Sequence, residues 1–223
     1  MVHLVRLRGF AIFMAMAFLN AFVDLGHKIV VQNTVFKVFD GTTQVVLTAI
    51  LNALILLPFV LLFTPAGYLS DRHPKPAVMR AAAAAAVVLT LLITLCYYLG
   101  LFWPAFALTL LLGAQAAIYS PAKYGYIKEL VGTTRLTSAN GAIQAVSTVA
   151  ILAGVFFFSL LFEGFLAGRT PQTSADTLRA IAPTGWWLVG CSLIELMLAF
   201  RLPARPAGAP DLTLDFAHYR RAG

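Results

Sequence analysis

Apolar residues gather into six runs, at about 10–36, 45–66, 77–98, 101–120, 137–162 and 185–201. Each is near the ~20 residues that a helix needs to cross the hydrocarbon of a bilayer. Membrane-crossing strands would instead alternate apolar and polar positions over about 10 residues. Stretches such as LILLPFVLLF and AAAAAAVVLTLLITL do not alternate, so the pattern predicts six transmembrane helices and an all-α membrane protein. Within the first run Asn20, Asp24, His27 with Lys28, and Gln32 recur at helical spacing, while Phe18, Phe22, Val23 and Ile29 face elsewhere. A charge at the bilayer centre costs about 2.5–3.5 kcal/mol. The polar stripe is therefore expected to face protein or a water-filled cavity, as in a substrate or ion pathway. Asp24 and Lys28, acid before base at i, i+4, are expected to pair within the helix.

Composition strengthens this reading. The chain is 60% hydrophobic and 11% charged, with mean hydropathy +0.85, well outside the range of soluble domains. A net charge of +7 and pI near 9.7 would suit a nucleic-acid partner, but the basic residues alternate by loop. Arg6, Arg8, Arg72, Lys75, Arg80, Lys123, Lys128, Arg135, Arg201, Arg205, Arg220 and Arg221 fall on the side of the N-terminus; Lys37, Arg169 and Arg179 fall on the other. The positive-inside rule then puts both termini in the cytoplasm and leaves nucleic acid without support. RLRGFAIFMAMAFLNA has the basic start and apolar core of a signal peptide, but removing it would leave five spans and a less consistent charge bias. Cys96 and Cys191 are isolated, the four His are scattered, and CxxC, HExxH, GxxxxGK[ST] and GxSxG are absent. No metal, nucleotide or serine-hydrolase chemistry is indicated, and no cofactor is expected.

The spans divide three and three. The first and fourth carry the polar residues, the fourth ending in Gln115, Tyr119, Ser120 and Lys123, while the third and sixth are plain apart from Glu195. A 3+3 repeat bundle, like one half of a major facilitator transporter, has this organisation, with substrate sites near the midplane. The sixth span should be peripheral in it and Glu195 a snorkelling or loop-paired carboxylate rather than a proton carrier. Residues 163–184 read as an extended loop, Gly164 and Gly168 included. We expect a six-helix transmembrane domain at 1–202 and a Pro-rich cytoplasmic linker or tail at 203–223.

Three strings carry a resemblance. GYLSDRHPK, Gly67 to Lys75, lies between the second and third spans and resembles the signature that the major facilitator superfamily has there. Gly67, Leu69, Asp71, Arg72 and Lys75 fit, and His73-Pro74 replaces its interior. In it a glycine permits close helix approach, an aspartate can cap a helix, and basic residues hold the turn. AFVDLGHK is similar to the AFNDNxFK segment of bacterial lysophospholipid transporters, with Val23, Leu25 and His27 as departures. YSPAKYGYIKEL, Tyr119 to Leu130, resembles that family's SPAKYG segment, and ANGAIQ, Ala139 to Gln144, its fifth-helix start.

The resemblance implies a secondary transporter that moves lysophospholipid across the bacterial inner membrane by alternating access, and not an enzyme. A zwitterionic head group needs an anion near its amine and a cation near its phosphate. Asp24 can meet the first and Lys28 or Lys123 the second, with Asn20, Gln32, Asn52, Gln115, Asn140 and Gln144 along the path. Those amides can equally bridge helices, and Lys123 can snorkel to the interface. Gly67, Asp71, Arg72 and Lys75 would serve gating. His27 would serve proton coupling or bridge helices. Six spans make half of such a transporter, so a missing second six-helix half, or a second copy, is an expected partner. Two alternatives stand beside it. The chain is the membrane domain of a fusion with a phospholipid acyltransferase, although no His-x-x-x-x-Asp pair is present, or it is a facilitator for another amphipathic or drug-like substrate.

Overall fold

In a computed structural model, the structure describes residues 9–171 and 173–203, which form helices joined by short turns. The helices are α1 (Phe10–Val38), α2 (Gly41–Leu61), α3 (Phe63–Arg72), α4 (Lys75–Leu99), α5 (Phe102–Val131), α6 (Leu136–Leu166), α7 (Ser174–Ile181) and α8 (Thr184–Phe200). Five are long and apolar enough to cross a membrane, and six spans result if the bent pair α7–α8 is one. Most of the 203–223 tail and the basic residues Arg6, Arg8, Arg205, Arg220 and Arg221 lie outside the described residues.

Proline and capping explain where the observed boundaries differ from those expected. The second span breaks at Leu62, four residues after Pro58 and three before Pro65, and continues as α3. The fourth, expected to end near residue 120, instead runs through Pro121 to Val131. The 163–184 loop is also corrected. α6 extends to Leu166, and Thr173 then caps α7, its Oγ1 accepting from the Asp176 amide at 3.1 Å and donating to the Asp176 carboxylate at 2.7 Å. The string TSAD carries that cap. α7 and α8 meet at 55°, so a sixth span made of the two is a broken helix.

Packing follows the three-and-three division. α1 packs chiefly on α6 and α8, while α5 packs chiefly on α2 and α4; α4 also lies along α8. Exchanging the first span with the fourth, the second with the fifth and the third with the sixth leaves this network unchanged. Each of the two equivalent first-to-fifth and fourth-to-second seams is closed by a glycine. A Cβ on Gly154 would meet the Phe22 carbonyl oxygen at 2.9 Å, and one on Gly113 the Ile55 carbonyl oxygen at 3.1 Å. Small residues at such seams let backbones approach where no hydrophobic effect drives helices together.

Two apolar clusters fill the interior. One gathers Val23, Val30, Leu51, Ile93, Phe106, Phe158 and Leu188, and the other Phe10, Phe13, Met79, Tyr126, Ile143 and Leu202. Between them along the helices come Asn20 on α1, Thr90 on α4, Gln115 on α5, Ser147 on α6, and Ser192 with Glu195 on α8. A polar layer thus divides the apolar core. The outer faces of α2 and α6 are apolar and open, with Val60 at 75% and Phe156 at 68% exposure, as surfaces meeting lipid or further protein would be.

Candidate functional site

The first and fourth spans supply the charges, as their polar residues suggested. Asp24 of α1 is largely buried, and its Oδ1 has no hydrogen-bond partner among the described residues. It lies in electrostatic range of Lys123 on α5. Lys123 is half-buried, with its Nζ 5.9 Å from the Tyr119 ring centre and 5.0 Å from that of Tyr124. Two aromatic faces therefore steady the ammonium, a favourable contact for a cation in partly apolar surroundings. The expected Asp24–Lys28 pair is corrected, because Lys28 makes no ion pair among the described residues. Packing α5 against α1 brings a cation of another helix to Asp24, and sequence spacing within one helix could not reveal it.

Beside Asp24 lies a cavity of about 110 Å³ between α1, α2 and α5, walled by Leu25, Ile55, Phe59, Thr109, Leu112, Gly113 and Ala116. One carboxylate in an apolar wall suits an amphipathic molecule. A second cavity, of about 330 Å³, runs along the alanine-rich face of α4 from His73 past Ala77, Ala81 and Ala85 to Gln115. Gln115 is buried, and neither polar atom of its amide has a partner among the described residues.

The remaining predicted residues separate by environment. Asn20 is buried in the polar layer, and Asn140 is half-buried with its Oδ1 unpartnered. Gln32 is half-buried. Asn52 turns back to its own helix, its Nδ2 donating to the Thr48 carbonyl at 2.9 Å. Gln144 is exposed on the open face of α6, with Thr148 donating to its carbonyl oxygen. The amides therefore do not converge on one point among the described residues.

His27 is fully buried, and both ring nitrogens are engaged. Nδ1 lies 2.7 Å from the Tyr97 hydroxyl on α4 and Nε2 3.0 Å from the Thr109 hydroxyl on α5. Of the two roles open to it, the geometry supplies the bridge, tying the first, third and fourth spans. In the Gly67–Lys75 string two expectations need correction. Gly67 has nothing within 4 Å of an added Cβ, because α3 packs through Ala66 and Ser70 and turns Gly67 away. Asp71 lies inside α3 and caps nothing, since Pro74 precedes α4. Arg72 sits 5.0 Å over the Tyr68 ring, and Lys75 Nζ pairs with Glu129 of α5 at 3.5 Å. The string thus fastens α4 to the C-terminal extension of α5.

Glu195 is the residue that sequence reasoning misplaced. It neither snorkels nor pairs with a loop. It is fully buried, and both carboxylate oxygens lack a hydrogen bond of regular geometry, although Asn20 lies beside it. Asp24 and Tyr119 are in range. A lone acid in the sixth span was its only signal, and the expected peripheral position hid it.

Comparison with known proteins agrees with the motifs. The Lysophospholipid transporter LplT of Photorhabdus laumondii is 38% identical over 120 residues, which is 53% of this chain and 28% of that protein. This chain is similar to lysophospholipid transporters. Proteins of the same name from Shigella flexneri and Escherichia coli are 50% identical over 44 residues, or 20% of this chain and 11% of theirs. The matches thus take in well under two thirds of the relatives' length. No family model and no solved structure matches.

Proposed function

We propose that this chain is the amino-terminal half of a secondary transporter that moves lysophospholipid across the bacterial inner membrane by alternating access. The observation that carries the reading is the pair of opposite charges held in range of one another, Lys123 from α5 and Asp24 from α1, the latter lining an apolar cavity. A zwitterionic head group can replace each charge's partner, its amine meeting Asp24 and its phosphate Lys123, while the acyl chain occupies the apolar wall. Binding then exchanges one set of charge contacts for another, so the desolvation of both ions is already met before substrate enters. Lys28 is a second cation on the same helix. Asn20, Gln32, Asn52, Gln115, Asn140 and Gln144 would offer neutral hydrogen bonds along the route, and the Gly67–Lys75 segment with its Lys75–Glu129 pair would act at a gate.

The open faces of α2 and α6 support a further six-helix half, or a second copy, closing the cavity. The distribution of basic residues supports both termini in the cytoplasm, and a phospholipid acyltransferase there would consume the lipid delivered. The similarity to proteins named as lysophospholipid transporters supports the substrate class.

The test is uptake of lysophosphatidylethanolamine by spheroplasts expressing the protein, normalised to its level in the membrane. Asp24→Asn and Lys123→Met should each reduce uptake at least about tenfold, the effect of losing one charge-assisted hydrogen bond. Movement of neutral monoacylglycerol should change less. Uptake unchanged in both variants would overturn the proposal.

A further inference from the structure

The polar layer contains a charge that the pair of Asp24 and Lys123 does not balance. Glu195 is fully buried on α8, and among the described residues neither of its oxygens has a partner of regular geometry. Ser192, one turn earlier on the same face, is fully buried with its Oγ unpartnered, and Tyr119 on α5 is 1% exposed with its hydroxyl unpartnered. Tyr119 is in range of Glu195, and Asn20 of α1 lies beside it. Buried polar groups are normally satisfied, and an unpaired buried carboxylate is among the most costly. Glu195 thus has in range an unpartnered hydroxyl of α5 and an amide of α1, with the unpartnered Ser192 one turn away on its own helix.

We propose that Glu195, with Ser192, Tyr119 and Asn20, forms a site for one monovalent cation, either a proton or an alkali ion. Among the groups in electrostatic range of Asp24 the charge count supports a single positive charge, since Asp24 and Glu195 give two negatives against the one positive of Lys123, and Lys28 is not in that set. An all-oxygen set of carboxylate, hydroxyls and amide carbonyl is what a hard cation takes. The ionisable groups facing Glu195 are Asp24 from α1, Tyr119 from α5 and, on α8 itself, Cys191. The site lies where α8 packs on α1, with Tyr119 of α5 in range, so its occupancy bears on the packing of the sixth span against the span that carries Asp24. It goes beyond the transport reading and would stand without it, because the cation needs no lipid.

The experiment is thermal unfolding of the purified full chain in nanodiscs, followed by tryptophan fluorescence. Sodium chloride is titrated against choline chloride at constant ionic strength, and the series is repeated from pH 5 to pH 8. A ligand that binds only the folded state raises the melting temperature. A rise with sodium but not choline identifies an alkali ion; a rise only with falling pH identifies a proton. In either case Glu195→Gln should abolish the rise, and Ser192→Ala should shift its midpoint about tenfold, the loss of one ligand. Sodium binding measured by calorimetry on the wild-type chain and Ser192→Ala gives the same reading if Glu195→Gln does not accumulate. A wild-type melting temperature indifferent to both ions, or a response that Glu195→Gln and Ser192→Ala leave unchanged, overturns the site. None of these readings involves lysophospholipid, so failure here is distinct from failure of the uptake test.

Discussion

Removing the His27 ring should loosen three helices at once. Its two nitrogens lie 2.7 Å from the Tyr97 hydroxyl and 3.0 Å from the Thr109 hydroxyl, with the ring fully buried. Interhelical hydrogen bonds in a membrane contribute about 0.6 kcal/mol each and at most about 1.7, so the two together account for about 1–3 kcal/mol. His27→Ala also leaves a ring-sized void, for which large-to-small substitutions suggest about 2 kcal/mol or more. The expected total is about 3–5 kcal/mol. Tyr97→Phe keeps its ring and loses one bond, about 1 kcal/mol. The assay is reversible unfolding in mixed micelles of the wild type, both single variants and the double variant. If the bridge is real, the double variant should be less destabilised than the sum by about 0.6–1.7 kcal/mol. A sum additive to within about 0.3 kcal/mol would refute the bridge.

Gly154→Val places a side chain against the Phe22 carbonyl and should lower the melting temperature sharply, whereas Gly141→Ala, with nothing within 4 Å, should leave it unchanged; equal effects would refute the close seam. Lys75→Ala should cost less than about 1 kcal/mol by denaturant unfolding, since its 3.5 Å pair with Glu129 is partly exposed; a loss above about 2 kcal/mol would show a pair far drier than the structure describes. After replacement of Cys96 and Cys191 by alanine, a cysteine at Asp176 should react with an impermeant maleimide from the periplasm and one at Asp71 should not. The reverse labelling would invert the topology.

The membrane class, the spans and the three-and-three grouping were legible in the chain, because hydrocarbon thickness and the absence of alternation constrain long apolar runs so strongly. SPAKYG and AFVDLGHK likewise marked α1 and α5 as the helices bearing charge. Packing decided what each charge meets. Asp24 and Lys28 share a helix at favourable spacing, yet α5 brings Lys123 into range of Asp24, a relation between residues 99 positions apart that no local pattern encodes. His27 read as a bridge before a switch, and Tyr97 and Thr109, by taking both its nitrogens, supplied the bridge. Glu195 lay in the plainest span, and only the packing of α8 on α1 and α4 buries it in the polar layer. Sequence determined which segments leave water, since that depends on the composition of each segment alone. Tertiary structure decided the partners of the polar groups, since in a low-dielectric bundle those depend on which helix faces meet.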